Sequence, residues 1–74
     1  MIEKNMLKAK LTAAGETQAQ LADFLGVSKV TLNAKLNGVR EFSRLEVESI
    51  AMRYQMDKDE VSEIFFPRLS TATK

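Results

Sequence analysis

From Phe24 to Arg40 the chain carries no acidic residue, and within that stretch Lys29, Val30, Asn33, Ala34 and Asn37 recur at intervals that a helix gathers onto one face. Their chemistry is that of recognition, not of bond breaking. An ammonium donates hydrogen bonds to paired acceptors, a carboxamide donates and accepts at once, and a small apolar group meets a methyl. Base edges in a DNA major groove offer those complements: guanine O6 and N7 to lysine, adenine N6 and N7 to asparagine, the thymine methyl to valine or alanine. Lys29, Val30, Asn33 and Ala34 are the candidate base contacts, the alternative being a face merely solvated or packed on a neighbouring helix. Catalytic chemistry lacks its parts, because 74 residues contain no Cys and no His. Disulfide staples, zinc sites, Cys or Ser/His nucleophiles and imidazole proton shuttles all fall away. The carboxylates fall at caps and surface positions, so neither an enzyme, a cofactor, a metal site nor a small-molecule substrate is expected.

A chain of 74 residues, 45% hydrophobic and 28% charged, is read as one small folded domain with a core from about residue 5 to 66 and a mobile tail over 67–74. At that size a single core supplies only a few kcal/mol, and with no Cys the remaining reinforcements are efficient helix packing and self-association. The longest apolar runs are three residues, Ile50-Ala51-Met52 and Ile64-Phe65-Phe66, so neither a membrane span nor a secretory signal is expected. The absence of Cys fits a reducing cytoplasm. Net charge is only +1, low for a nucleic-acid binder, but it is unevenly placed. Residues 1–40 hold six Lys/Arg against three Asp/Glu, and residues 41–74 hold five against seven.

The elements that must position the acid-free face are short helices. Leu7 and Leu11 stand four apart in a first helix from about Asn5 to Ala14, closed by Gly15. Thr17 and Gln20 form a capping box that opens a second helix, whose apolar residues Leu21, Ala22 and Leu25 precede Gly26. Ser28 caps a third, KVTLNAKLN, with Leu32 and Leu36 on one stripe up to Gly38. Ser43 with Glu46 opens a fourth, carrying Val47, Ile50, Ala51 and Tyr54, and Asp57 with Glu60 opens a fifth, carrying Val61, Ile64 and Phe65 until Pro67. No stretch alternates as a strand does. With Leu32 set at zero and about 100° per residue, Leu36 falls near 40°, and Lys29, Asn33, Asn37, Val30 and Ala34 spread over about 60° to 200°. Leu32 and Leu36 thus turn that arc outward. Ala22 faces the crossing with the third helix, where a larger side chain would force the pair apart.

The turn GVS between the second and third helices makes a helix-turn-helix. The segment TQAQLADFLGVSKVTLNAKLNG, residues 17–38, resembles the DNA-binding motif of Cro and lambda-repressor type regulators, of phage and prophage origin and widespread in bacteria. The likeness extends more loosely from Leu7 to Phe66, since LEVESIAMRYQMDKDEV resembles the family's fourth and fifth helices. It implies an all-α, five-helix fold, a double-stranded DNA operator as partner and a bacterial host cytoplasm. It also implies phosphate contacts at Gln18, beside the free N–H groups opening the second helix, and at Asn37 and Arg40 in the loop after the third. Ser28 doubles as cap and possible phosphate donor, the cap being its first role. Lys35 and Arg44 are looser candidates, for which plain solvation is the better reading.

Helix-turn-helix proteins usually bind two half-sites as symmetric dimers. Ile64, Phe65 and Phe66 occupy adjacent positions, more than one helix face buries, and the resemblance places the dimer contact in this region; the alternative is that the phenylalanines complete the monomer core with Phe42 and Tyr54. The expected function is therefore a Cro-like, sequence-specific transcriptional regulator, in the setting of a phage lysis–lysogeny switch. The competing reading is a protein-binding antirepressor that uses the same fold to capture a phage repressor, favoured by the low net charge and the apolar run at 64–66.

Overall fold

Isolated helices below about 12–15 residues are marginal in water, so segments this short depend on their ends and on the faces they bury. In the computed structural model, which describes residues 2–67, they form α1 (Lys4–Ala14), α2 (Gln18–Leu25), α3 (Lys29–Leu36), α4 (Arg44–Arg53) and α5 (Lys58–Phe65), with no strand among the described residues. The expectation of a mobile tail concerns residues that, from 68 onward, lie outside the described ones.

Each start signal operates. Thr17 Oγ1 accepts from Gln20 N–H at 3.2 Å while Gln20 Oε1 accepts from Thr17 N–H at 2.8 Å. Ser43 with Glu46 and Asp57 with Glu60 close the same reciprocal box on α4 and α5. Ser28 Oγ takes the Thr31 N–H at 3.0 Å, but a threonine side chain is too short to reach back to the cap, so α3 has half a box. At the far ends Gly26 takes φ 74°, where an L side chain crowds its own carbonyl. Gln55 is the one described non-glycine residue in that region, at φ 53°, and it closes α4 as Met56 N–H bonds Ala51 O at 2.8 Å.

The core takes one completely buried aliphatic side chain from each helix: Leu7, Leu21, Leu32, Ile50 and Ile64. Leu11, Ala22, Leu36 and Phe65 complete it, with Val27, Phe42, Val47, Tyr54 and Val61 packed around. Two residues expected at a dimer or partner surface are corrected by this arrangement. Ile64 is fully buried and Phe65 is 6% exposed, its ring set edge-on to Phe42 at 5.4 Å, so both belong to the chain's own core. The cause is the end of α5 at Phe65: the helix buries two neighbouring positions, and only Phe66, past its end and 46% exposed, stays on the surface.

Polar ties fix the helices against one another. Glu3 N–H bonds Ile64 O at 2.7 Å and Lys10 pairs with Glu60, so α1 runs antiparallel to α5. Arg53 holds both oxygens of Glu16 through Nε and a second guanidinium nitrogen, and lies 4.2 Å from the Phe24 ring centroid. Tyr54 O–H adds a bond to Glu16 Oε1 at 2.7 Å. Burial, followed by that carboxylate, pushes the Tyr54 phenol up to about 12, and the Arg53 bond leads the forces that hold Glu16 below the usual carboxylate range. Lys35 Nζ bridges both oxygens of Glu46 at 2.6 and 2.7 Å, with the two side chains only 12% and 16% exposed. Burial raises the Glu46 carboxyl, but the Lys35 bond and the Ser43 N–H outweigh it and leave the group below its ordinary value.

Two predictions follow from these ends and ties. Gln55→Gly should stabilise the fold by about 0.5–1 kcal/mol and Gly26→Ala should destabilise it by about 1–2 kcal/mol, because only the backbone conformation changes and a Cβ at Gly26 meets nothing within 4 Å. Denaturant titration checks both, and equal effects of one sign would refute the left-handed assignments. Glu46→Gln keeps the reach back to Ser43 and discards only the charge, at a cost of about 1–3 kcal/mol near neutrality. A folded carboxyl that titrates below its unfolded counterpart stabilises above the unfolded value, near 4.3, and ceases to do so as pH falls through the folded one. The gap between wild type and Glu46→Gln in thermal melts should therefore close in that acid window; a pH-independent gap would remove the ion pair from the account.

Candidate nucleic-acid interface

The pair α2 and α3 is held at close approach by what lies between them. Ala22, 3% exposed, sits on the inner face of α2, and Leu32 and Leu36 turn α3 inward against the body. Gly26 reverses the chain, its N–H and that of Val27 returning to Asp23 O and Ala22 O at 3.1 and 3.0 Å, and Ser28 restarts a helix at once from an extended backbone. The break between helices is three residues, Gly26 to Ser28. With its inner stripe buried, α3 has one face left to show.

That face carries Lys29, Val30 and Asn33, all exposed, Val30 to 79%. None of the three side chains is committed to an internal hydrogen bond or ion pair among the described residues. Ala34 is half-buried, since the loop folds back over the last turn and Val39 and Arg40 N–H both bond to Ala34 O, at 2.9 and 3.3 Å. The structure thus brings all four expected base-contact residues onto one helix, three of them open and the fourth at the margin.

The flanking positions divide. Gln18 is half-buried at the first position of α2, where the first-turn N–H groups that Thr17 does not cap point outward. Ser28 spends its hydroxyl locally, accepting from Thr31 N–H and donating to Thr31 Oγ1 at 2.9 Å. Arg40 is exposed and makes no ion pair among the described residues. Asn37, the C-cap of α3, accepts from Lys4 Nζ at 2.8 Å. Of the looser positions, Arg44 is exposed and paired with Glu48 one turn on. Lys35 is neither solvated nor free, since Glu46 takes its charge and the Phe42 ring centroid lies 5.9 Å away. Its position on a short helix gave no sign of this, because the acid it meets lies in the next one.

Sequence reading also missed Lys4, whose partner is thirty-three positions away. No local spacing reveals such a pair. Among the described residues no three His, Cys, Asp or Glu side chains come together as a metal site, and no helix is long and apolar enough to cross a membrane. The surface offers a narrow, acid-free helix with a capped N-terminus and cationic flanks, suited to entering a groove and to contacting anionic oxygens beside it.

A family model described as helix-turn-helix matches residues 7–61, from the core leucine of α1 into α5. None of the curated proteins gives a match, and no solved structure does. The matched span contains α2, α3 and α4 whole with most of α1 and the start of α5, and the chain belongs to the helix-turn-helix family of Cro and lambda-repressor type DNA-binding proteins.

Proposed function

We propose that this DNA-binding transcription regulator reads a specific, two-fold symmetric operator by laying α3 in the major groove, in the manner of Cro. The observation that carries the reading is the outward face of α3: Lys29, Val30 and Asn33 are exposed and uncommitted, while Leu32 and Leu36 anchor the opposite side. Lys29 would donate to guanine O6 and N7, Asn33 would pair with adenine, and Val30 with the margin of Ala34 would meet thymine methyls. Gln18, with the opening N–H groups of α2, and Arg40, with Asn37, would bind backbone phosphates on the two sides; Ser28 would serve chiefly as the cap. The acid-free span supports this, as a carboxylate there would be repelled by the backbone. Two half-sites call for a dimer, and Phe66 is the residue of the 64–66 run that remains available for it. Occupancy of the operator would exclude polymerase or a rival repressor, and the family resemblance makes a lysis–lysogeny switch its natural setting.

One observation favours a second reading. Phe66 borders a recess of about 210 Å³ whose apolar wall is Ile2, Phe42, Val47 and Phe65 and whose rim carries Arg40 and Glu41, a shape that would receive an apolar group of another protein such as a repressor.

Selection from a randomised duplex library, followed by anisotropy titration at several salt concentrations, tests the first reading against the second. An inverted repeat with half-site centres about one helical turn apart should be enriched. On it, Lys29→Ala or Asn33→Ala should cost about 1–3 kcal/mol and relax preference at one base pair. Gln18→Ala and Arg40→Ala should weaken every duplex alike, Arg40→Ala also reducing the slope of log K against log salt by about 0.9 per protomer. Uniform losses from the α3 variants would defeat the base-contact assignment, and absence of any enriched sequence would transfer the case to a protein partner.

A further inference from the structure

The described cations fall into two groups. Lys10, Lys35, Arg44 and Arg53 each pair with a carboxylate, on Glu60, Glu46, Glu48 and Glu16. Lys4, Lys8, Lys29, Arg40 and Lys58 do not. Lys4 is singular within the second group because its ammonium is held, by Asn37 Oδ1 at 2.8 Å, without being neutralised. The contact brings the first residue of α1 to the C-cap of α3, on the rim of a recess that Ile2, Glu3, Asn5 and Leu36 complete. Arg40 is folded toward the same end of α3 by its own N–H bond to Ala34 O at 3.3 Å. Both Lys4 and Asn37 are exposed, and Glu3, on the same recess, makes no ion pair.

We infer that Lys4 is a backbone-phosphate contact of the DNA interface and that Asn37 positions it. The inference rests on the DNA-binding reading above. An ammonium has three donors; Asn37 Oδ1 occupies one and leaves two, and the Asn37 amide NH₂ keeps both of its own. A neutral acceptor holds the lysine at the end of α3 without cancelling the charge that a phosphate requires, and it confines a side chain whose freedom would otherwise have to be lost on binding. The carbonyl end of α3 draws a cation to the same place. α1 thus contributes to the interface through its first residue, next to the phosphate-facing loop that ends at Arg40.

The test is anisotropy titration with two duplexes, one enriched by selection and one of mixed sequence long enough for two half-sites, each over a range of salt. Lys4→Gln should weaken both by the same factor and lower the slope by about 0.9 per protomer, which is about 3.5-fold less loss of affinity over a fourfold rise in salt. Lys4→Arg should preserve both quantities. Asn37→Ala should cost its own phosphate contact and part of that of Lys4, so the double variant should lose less than the sum of the two single losses. Lys58→Gln is the control: Lys58 opens α5 at the opposite end of the antiparallel α1–α5 pair, roughly the length of α5 away, about 12 Å and beyond the Debye length of about 8 Å at physiological salt. It should change neither quantity, and circular dichroism should show every variant folded. An unchanged slope for Lys4→Gln, in a wild type that binds duplexes salt-dependently, overturns the assignment and leaves the DNA reading standing. Altered base preference would make Lys4 a base reader and overturn the phosphate role, whereas a wild type that binds no duplex removes both readings together.

Discussion

Everything exposed on α3 depends on what is buried beneath it. Helices of eight to eleven residues have too little internal hydrogen bonding to persist alone, so each is held by an aliphatic side chain sealed in a common centre: Leu7, Leu21, Leu32, Ile50 and Ile64. Leu32 is the member that matters for recognition. Its burial fixes the rotation of α3 about its axis, and with Leu36 it determines which side chains reach outward. Ala22 sets the distance, since any bulk there would lift α3 from α2 and move the exposed face of α3 relative to the start of α2.

Charge is distributed on a consistent plan around that centre. Where two helices must stay in register, a cation meets a carboxylate: α3 to α4 through Lys35 and Glu46, α4 to the loop before α2 through Arg53 and Glu16, and α1 to α5 through Lys10 and Glu60. Around α3 itself no such partner is provided for Lys29 or Arg40, and Lys4 receives an amide oxygen in place of an acid. A net charge of +1 therefore averages over an uneven surface, since the span from Phe24 to Arg40 carries no acid at all.

The sequence exposes this fold unevenly. The starts of α2, α4 and α5 were legible because each signal is complete within four residues: a hydroxyl or carboxylate and, three positions on, the Gln or Glu that answers it. Which side chains α3 exposes was legible for a similar reason, periodicity converting two leucines into an outward arc. What remained hidden were contacts between residues far apart in the chain. Nothing near Lys35 announces Glu46, and nothing near Lys4 announces Asn37. The run Ile64-Phe65-Phe66 misled for another reason, since three adjacent apolar residues exceed one helix face only while the helix lasts, and α5 ends at Phe65. The left-handed Gln55 was equally invisible, its residue type giving no hint of a glycine-like conformation.

The freedom of the outer α3 side chains also bears on how such a protein changes over generations. Lys29, Val30 and Asn33 support no cap, no core contact and no ion pair among the described residues. Substitutions there leave folding nearly untouched while rewriting the pattern of donors, acceptors and methyl contacts offered to a groove. On the proposed reading, operator choice and structural integrity would be carried by different residues of the same eight-residue helix. A lineage built on this body can acquire new targets by single substitutions without first accumulating stabilising changes elsewhere.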